Sequence, residues 1–276
     1  MAAASPVTEP SQLGFPIATG FTAEVFGWGE GRVLKLYLPW VSSEVLEREF
    51  MITRAVHAAG VPSPAVFETL QIGNRHGIVF ERIHGDSMVT RVARKPWTLF
   101  AAARQLAELH STVHDHPAPA ELPSQRERLE LWINNPGHFA PAEKRRALDH
   151  SARLPTANRL CHGDFHPANI LFTSKGPIII DWSAATRGHP LADVARTSVL
   201  FETAPLPDDL PLQLRILMKF SRRLLHSCYL KRYLQLRSGT MDEIEFWRIP
   251  HRFAGRACQA QRRAAMAQVE SAADFG

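Results

Sequence analysis

Two β-rich runs, Ala23 to Trp28 and Arg32 to Leu38, flank the short turn Gly29-Glu30-Gly31, a spacing that predicts a β-hairpin. The period then lengthens. Val45, Glu49, Ile52, Val56 and Ala59 recur in steps of 4, 3, 4 and 3, which puts them on one face of a helix. Ser42 or Ser43 can cap its start, and Gly60 with Pro62 and Pro64 marks its end. That stripe is apolar except for Glu49, and a carboxylate facing a core needs a cation beside it. Lys35 is its mirror image, a cation inside the apolar run Val33, Leu34, Leu36. The two anomalies resolve if they pair.

Gly77 to Asp86 (GIVFERIHGD) reads as a strand leading into a turn, and there the pattern changes. Up to about Phe80 the chain is β-rich with one helix; beyond Lys95 it is mainly helical. Pro96 to His114 predicts a helix with Leu99, Ala103, Leu106 and His110 on one face, and His116 to Pro123 a Pro-rich loop. Further on, Arg159 to Cys161 is short and strand-like, and Gly163 and Pro167 force residues 162–168 into a loop. Ile170 to Thr173 and Pro177 to Asp181 form two short strands around Ser174-Lys175-Gly176. The expected class is α+β. A frayed tail (1–13) precedes a small lobe of strands with one helix (14–82) and a larger, mainly helical lobe (83–276).

Composition narrows the picture without changing it. At 276 residues, 45% apolar and 21% charged, the chain has the make-up of a globular protein with a real core. No apolar run approaches membrane-spanning length, and the first residues lack the features of a secretion signal. Cys161, Cys228 and Cys258 are widely spaced and form no Cys-x-x-Cys, which fits a reducing, cytoplasmic setting. Net charge is +5, and the segment from Pro205 onward holds 12 Lys and Arg against 7 Asp and Glu. These basic residues are interleaved with acids along helical patterns, so they read as solvated helix faces rather than a nucleic-acid surface.

The chemistry concentrates in LCHGDFHPANILFTSKGPIIIDWS, Leu160 to Ser183. Asn169 stands just before the first strand of the short hairpin and Asp181 at the end of its second, with Asp164 in the adjoining loop. A carboxylate beside a carboxamide is an all-oxygen donor set suited to Mg²⁺. A second carboxylate not needed by a metal can accept a proton from a substrate hydroxyl. With a glycine-bearing hairpin and an anchored lysine, these are the parts of a kinase-type phosphoryl transferase.

HGDFHPANIL followed by IIIDW resembles the aminoglycoside phosphotransferase family and its choline-kinase and protein-kinase relatives: His-x-Asp, four residues, Asn, a hairpin, then Asp. ATGFTAEVF, VLKLY, EREFMITRAVHAAGVPSP, FERIHG and HPLADVART continue the resemblance over nearly the whole chain. It implies a bilobal protein-kinase-like fold binding ATP or GTP with Mg²⁺ between the lobes. It further implies Asp164 as catalytic base or substrate-orienting carboxylate, and Asn169 and Asp181 as metal ligands. Lys35, paired with Glu49, would contact the phosphates. Gly20, Thr22 and Val25 would cover the nucleotide, and Phe80, Glu81, Arg82 and Ile83 would border the base. His162 and Asp193 would support the loop, and His166 would line the substrate side. Ala18 and Ala23 occupy the outer glycine positions of the protein-kinase covering loop, a departure that small-molecule members tolerate.

Other chemistries fit less of the chain. Asp164-Phe165-His166 matches one fragment of a metallophosphatase, but no GDxxD or GNH block accompanies it. His162, Asp164 and His166 lack a further residue with zinc-ligand spacing. Eleven residues between Asp181 and Asp193 leave no room for a peptide-holding segment, so the acceptor is expected to be a small hydroxylated molecule. The excess of basic residues on the helices expected to form the substrate side argues for a neutral or anionic acceptor over a polycationic drug. The remaining alternative is a nucleotide-binding pseudokinase. No nucleic-acid or membrane partner is expected, and the chain is expected to be a monomer or weak dimer.

Overall fold

The computed structural model describes residues 9–134, 140–206 and 211–253. Their architecture is α+β, as expected. The described residues divide into two compact units, one within 1–86 together with 170–183 and the other within 87–169 together with 184–276.

The first unit is built on a five-stranded antiparallel sheet. Its strands are β1 (Ala18–Thr19), β2 (Ala23–Gly27), β3 (Arg32–Tyr37), β4 (Val66–Ile72) and β5 (Arg75–Glu81), in the order β1-β2-β3-β5-β4. The predicted hairpin is β2–β3, turning through Gly29 and Gly31, which both adopt left-handed φ. Alternation along β3 splits its side chains between two faces. Leu34 and Leu36 pack with Phe26, Ile72 and Val79. Tyr37, two residues from Lys35 and so on the same face, packs with Ala23, Ile78 and Leu46 of helix α1 (Ser43–Ala58). Glu49, Ile52 and Val56 are buried as the stripe predicts, but Leu46 replaces the exposed Val45 at its start and Ala59 is exposed at its end. Ser42 takes the N-cap position without a side-chain capping bond, and Gly60 ends the helix with its N–H on the His57 carbonyl.

This unit also takes in the second hairpin, β8 (Ile170–Thr173) with β9 (Gly176–Ile179), whose Ile179 N–H donates to the Pro62 carbonyl. The strand expected from Pro177 to Asp181 is corrected at both ends: it begins at Gly176 and stops at Ile179. Asp181 has φ 61°, which no strand accommodates. Of the tail expected over residues 1–13, residues 1–8 lie outside the described ones. Pro10–Leu13 forms a 3-10 helix with Leu13 against the sheet core.

Asp86–Ser87 (β6) leads the chain out of the first unit. The second unit comprises α2 (Met88–Arg94), α3 (Leu99–Asp115), α4 (Gln125–Asn134), α5 (Pro141–Ala152), α6 (Pro190–Thr203) and α7 (Leu212–Leu236), with helical residues 241–253. Two short strands, β7 (Arg159–Cys161) and β10 (Thr186–Gly188), pair antiparallel on either side of the candidate loop. The helix expected from Pro96 begins at Leu99, after a 3-10 turn at Pro96–Thr98. On it Leu99, Ala103, Leu106 and His110 are buried as the pattern predicts, and so is His114. The first half of α7 departs from a plain solvated face: Leu212, Ile216, Leu217 and Phe220 are exposed among its arginines and lysines. Cys258 lies outside the described residues. No described helix is long and apolar enough to cross a membrane.

Candidate active site

In the first unit, three charged residues far apart in sequence converge. Lys35 Nζ lies 2.7 Å from Glu49 Oε1 and 3.2 Å from Asp181 Oδ1. The Lys35–Glu49 pairing that would resolve the two anomalies is present. Tyr37, which the hydrophobic pattern did not single out, donates its hydroxyl to the other oxygen of Glu49. Burial alone would lower the Lys35 pKa, but the two carboxylates outweigh it and hold the ammonium charged. Burial, partly offset by Lys35, pushes Glu49 up. Asp181 is the one non-glycine residue with positive φ among the described residues. That sparsely populated backbone is held where the Lys35 ammonium and the Ser183 hydroxyl, 2.9 Å away, both reach Oδ1.

Gly20, Thr22 and Val25, expected to cover a nucleotide, sit on a tight reversal. Gly20 N–H donates to the Ala23 carbonyl at 2.8 Å, Leu38 N–H donates to the Thr22 carbonyl, and Val25 pairs with both Ala18 and Lys35. At the exit of β5, the N–H groups of Glu81 and Arg82 are committed to the carbonyls of Ala65 and Gly31. Phe80 packs beneath, in the Tyr37 cluster, and Ile83 is half-buried.

In the second unit, the 162–169 loop is fastened from several directions. Asp193, near the start of α6, accepts the backbone N–H groups of His162 at 2.5 Å and Gly163 at 2.8 Å. Gly163 has φ 78°, and a Cβ there would come within 2.3 Å of the Ala184 carbonyl oxygen, so only glycine fits. The buried Phe165 stacks on His110 at 4.0 Å, and its carbonyl accepts the Thr197 hydroxyl. His162 Nδ1 accepts the Asp164 N–H at 3.2 Å. Asn169 turns its amide nitrogen to the Asp164 carbonyl at 2.9 Å, which leaves its side-chain oxygen facing away from that bond. His166 Nε2 is 3.4 Å from Asp164 Oδ2.

Burial would raise the Asp164 pKa, but the His166 contact and the charges of Arg196 and His162 overcome it and bring the carboxyl down to about 2. Asp164 is a carboxylate at neutral pH. The anchor Asp193 is ionised too, held well below its ordinary value against burial by His110 and His114. His110 Nε2 and His114 Nε2 lie 3.0 and 3.3 Å from Asp193 Oδ2, and their Nδ1 atoms face the hydroxyls of Tyr229 and Tyr233 at 2.7 and 2.6 Å. Each ring therefore donates to the carboxylate and accepts from a tyrosine. Burial holds both imidazoles neutral, His114 down to about 4. His110, His114 and Asp193 lie close enough to share a cation, but tautomers and hydroxyls close the group as a hydrogen-bonded network. The sequence carried a faint signal of it. Two His four apart on α3 face two Tyr four apart on α7.

The predicted residues thus gather into two sets: Lys35, Glu49 and Asp181 in one unit, Asp164, Asn169, His162, His166 and Asp193 in the other. Residues 16–247 match the sequence model of APH, the phosphotransferase enzyme family. The chain is 26% identical over 187 residues to acyl-CoA dehydrogenase family member 11 of Gallus gallus, a match spanning 54% of this chain and 22% of that protein. It is 26% identical over 193 residues to family member 10 of Mus musculus, spanning 62% and 18%. The chain therefore spans about a fifth of the length of these relatives. Among solved structures it is similar to amicoumacin kinase in complex with AMP-PNP and Ca²⁺, with TM-score 0.60, 14% identity and coverage of 94% and 87%. An aminoglycoside-3'-phosphotransferase of type VIII gives TM-score 0.57, 19% identity and coverage of 87% and 92%. A thermostable APH(4)-Ia mutant in ternary complex with AMP-PNP and hygromycin B gives TM-score 0.51, 19% identity and coverage of 88% and 93%. At these identities the likeness is one of fold.

Proposed function

The chain belongs to the phosphotransferase enzyme family, and on that premise we propose that it transfers the γ-phosphoryl group of ATP or GTP to a hydroxyl of a small molecule. The observation that carries this reading is the convergence of Lys35, Glu49 and Asp181, drawn from a strand, a helix and the end of a distant hairpin. A half-buried ammonium held by the Glu49 and Asp181 carboxylates is positioned to meet phosphate oxygens without searching for a rotamer. Asp181, strained and partly exposed beside it, offers a carboxylate, and Asn169, whose amide nitrogen is committed to the Asp164 carbonyl, offers a carboxamide oxygen, the donor types that suit Mg²⁺. These two residues would hold the ion, which neutralises phosphate charge when bound.

Asp164 is the residue for the acceptor. With a pKa near 2 it is a weak base, so its part is to accept a hydrogen bond from the acceptor hydroxyl, orient its oxygen for in-line attack, and take the proton late. The rigidity of its loop comes from Asp193 and Gly163.

Mg²⁺-dependent ADP release, measured across a panel of hydroxylated metabolites and antibiotics, tests the proposal. Acceptor-stimulated turnover is expected. Nucleotide binding with no turnover on any acceptor would favour a pseudokinase, and absence of nucleotide binding would sink both.

A further inference from the structure

Lys35 and Tyr37 stand two residues apart on β3 and so share a face. Tyr37 touches both members of the Lys35–Glu49 pair. Its hydroxyl donates to Glu49 Oε2, and its ring centroid lies 5.6 Å from Lys35 Nζ, within the range of a cation–π contact. Lys35 takes the other carboxylate oxygen, Oε1. Each oxygen of Glu49 therefore has its own donor.

The ring is fixed independently of either charge. Tyr37 is 2% exposed and packs with Ala23, Leu46 and Ile78. The β3–β5 ladder ends at the pairing of Leu36 with Gly77, and there a side chain takes over from the strand. Arg75 Nε donates to the Tyr37 carbonyl at 2.8 Å and Arg75 Nη2 to the Leu36 carbonyl at 3.0 Å. Glu24 Oε2, 2.8 Å from the same Nη2, anchors the guanidinium.

A phenylalanine would fill that apolar space equally well, so packing alone does not account for the hydroxyl. Burial and the Glu49 charge push the phenol pKa well up, which keeps its proton in place as a donor. A carboxylate held at one oxygen can still turn about its last torsion, which is broad. With a donor on each oxygen its plane is set, and Oε1 stays aimed at Lys35. The ammonium has three N–H donors. Glu49 and Asp181 accept two of them, and that arrangement fixes where the third points.

We propose that Tyr37 is a positioning residue for phosphate binding, its hydroxyl holding Glu49 in the orientation that aims Lys35 at the phosphates of the nucleotide. This rests on the phosphotransferase reading above. Tyr37 acts through Glu49 and makes no contact with the nucleotide in this role.

Two measurements on Tyr37→Phe, which keeps the ring, test the inference. The first is calorimetry with AMP-PNP and Mg²⁺ and, separately, with adenosine (GMP-PNP and guanosine if the protein selects guanine). AMP-PNP should bind about two- to thirtyfold more weakly, the range of a coupling passed through one intermediary, while adenosine affinity holds. A general loosening of the unit would instead weaken both ligands alike. That result, or unchanged AMP-PNP affinity, overturns the inference. The second measurement needs no nucleotide. Tyr37→Phe should lower the urea midpoint in the natural background and barely move it beside Glu49→Leu, because the hydroxyl then has no carboxylate to hold. Equal shifts in both backgrounds would show that the hydroxyl does not act through Glu49 and would overturn the inference. A natural protein that binds neither AMP-PNP nor adenosine refutes the phosphotransferase reading, whereas the urea series still decides whether Tyr37 holds Glu49.

Discussion

His110 Nε2 and Asp193 Oδ2 meet at 3.0 Å in a fully buried pair, though 83 residues separate them in the chain. The carboxylate accepts two backbone N–H groups from the candidate loop and two imidazole N–H groups from α3. A lone buried charge is thereby satisfied by neutral donors, and the loop is tied to the helical core.

Stability should fall on acidification through this network. His114 is neutral in the fold, its pKa lowered from 6.5 to about 4 by burial and by His110 against the pull of Asp193. The unfolded chain therefore binds the proton first, and stability is lost progressively as pH drops from about 6.5 to 4, by up to about 3 kcal/mol. Asp193, ionised in the fold well below its ordinary range, adds loss at still lower pH in the same direction. Urea unfolding between pH 7 and 4 should show this slope, and His114→Leu should flatten it. An equal slope in the variant would contradict the assignment.

Removing one member of the Lys35–Glu49 pair leaves the other charge buried. Lys35→Met should destabilise the protein by about 3 kcal/mol or more, because Glu49 then keeps only the Tyr37 hydroxyl. Replacing both, Lys35→Met with Glu49→Leu, should recover part of that loss. Nucleotide affinity should not recover, since the cation proposed to meet the phosphates is gone. Chemical denaturation and calorimetry on the same three variants separate the two effects.

Asp181→Gly should divide strain from function. Glycine accepts the left-handed φ of 61° without penalty, so stability should hold or rise by about 1 kcal/mol. The magnesium-dependent part of ATP binding should vanish. Calorimetric titrations with and without Mg²⁺ showing no change would remove Asp181 from the metal site.

Asp164→Asn keeps the side chain's shape and removes its charge. Turnover should fall by about 10²–10⁴ with little change in nucleotide affinity. The pH profile of kcat/KM offers a second check. With its pKa lowered to about 2, Asp164 is ionised at every pH the fold tolerates, so it should impose no acid limb between about pH 5 and 8. A limb near pH 6 that disappears in the variant would show that the carboxylate titrates there.

The sequence by itself determined what depends on local periodicity and turn chemistry. The β2–β3 hairpin follows from its glycine turn, α1 from its stripe and Gly60, and the His-x-Asp to Asn to Asp spacing from adjacency alone. Even the Lys35–Glu49 contact was legible, because opposite charges at apolar-pattern positions of neighbouring elements have one inexpensive solution. Tertiary structure decided the rest. Val45 yields to Leu46 because it is Leu46 that packs against Ala23, Tyr37 and Ile78 of the sheet, a contact the helix's own pattern does not encode. Asp181 leaves its strand because Lys35 and Ser183 hold it elsewhere. His110, His114, Tyr229 and Tyr233 read as ordinary polar interruptions of two helices until α3 and α7 pack side by side. Only then do the matched four-residue steps bring each ring to a hydroxyl and both rings to one carboxylate, since a buried hydrogen-bond network is a property of packing and not of any one helix.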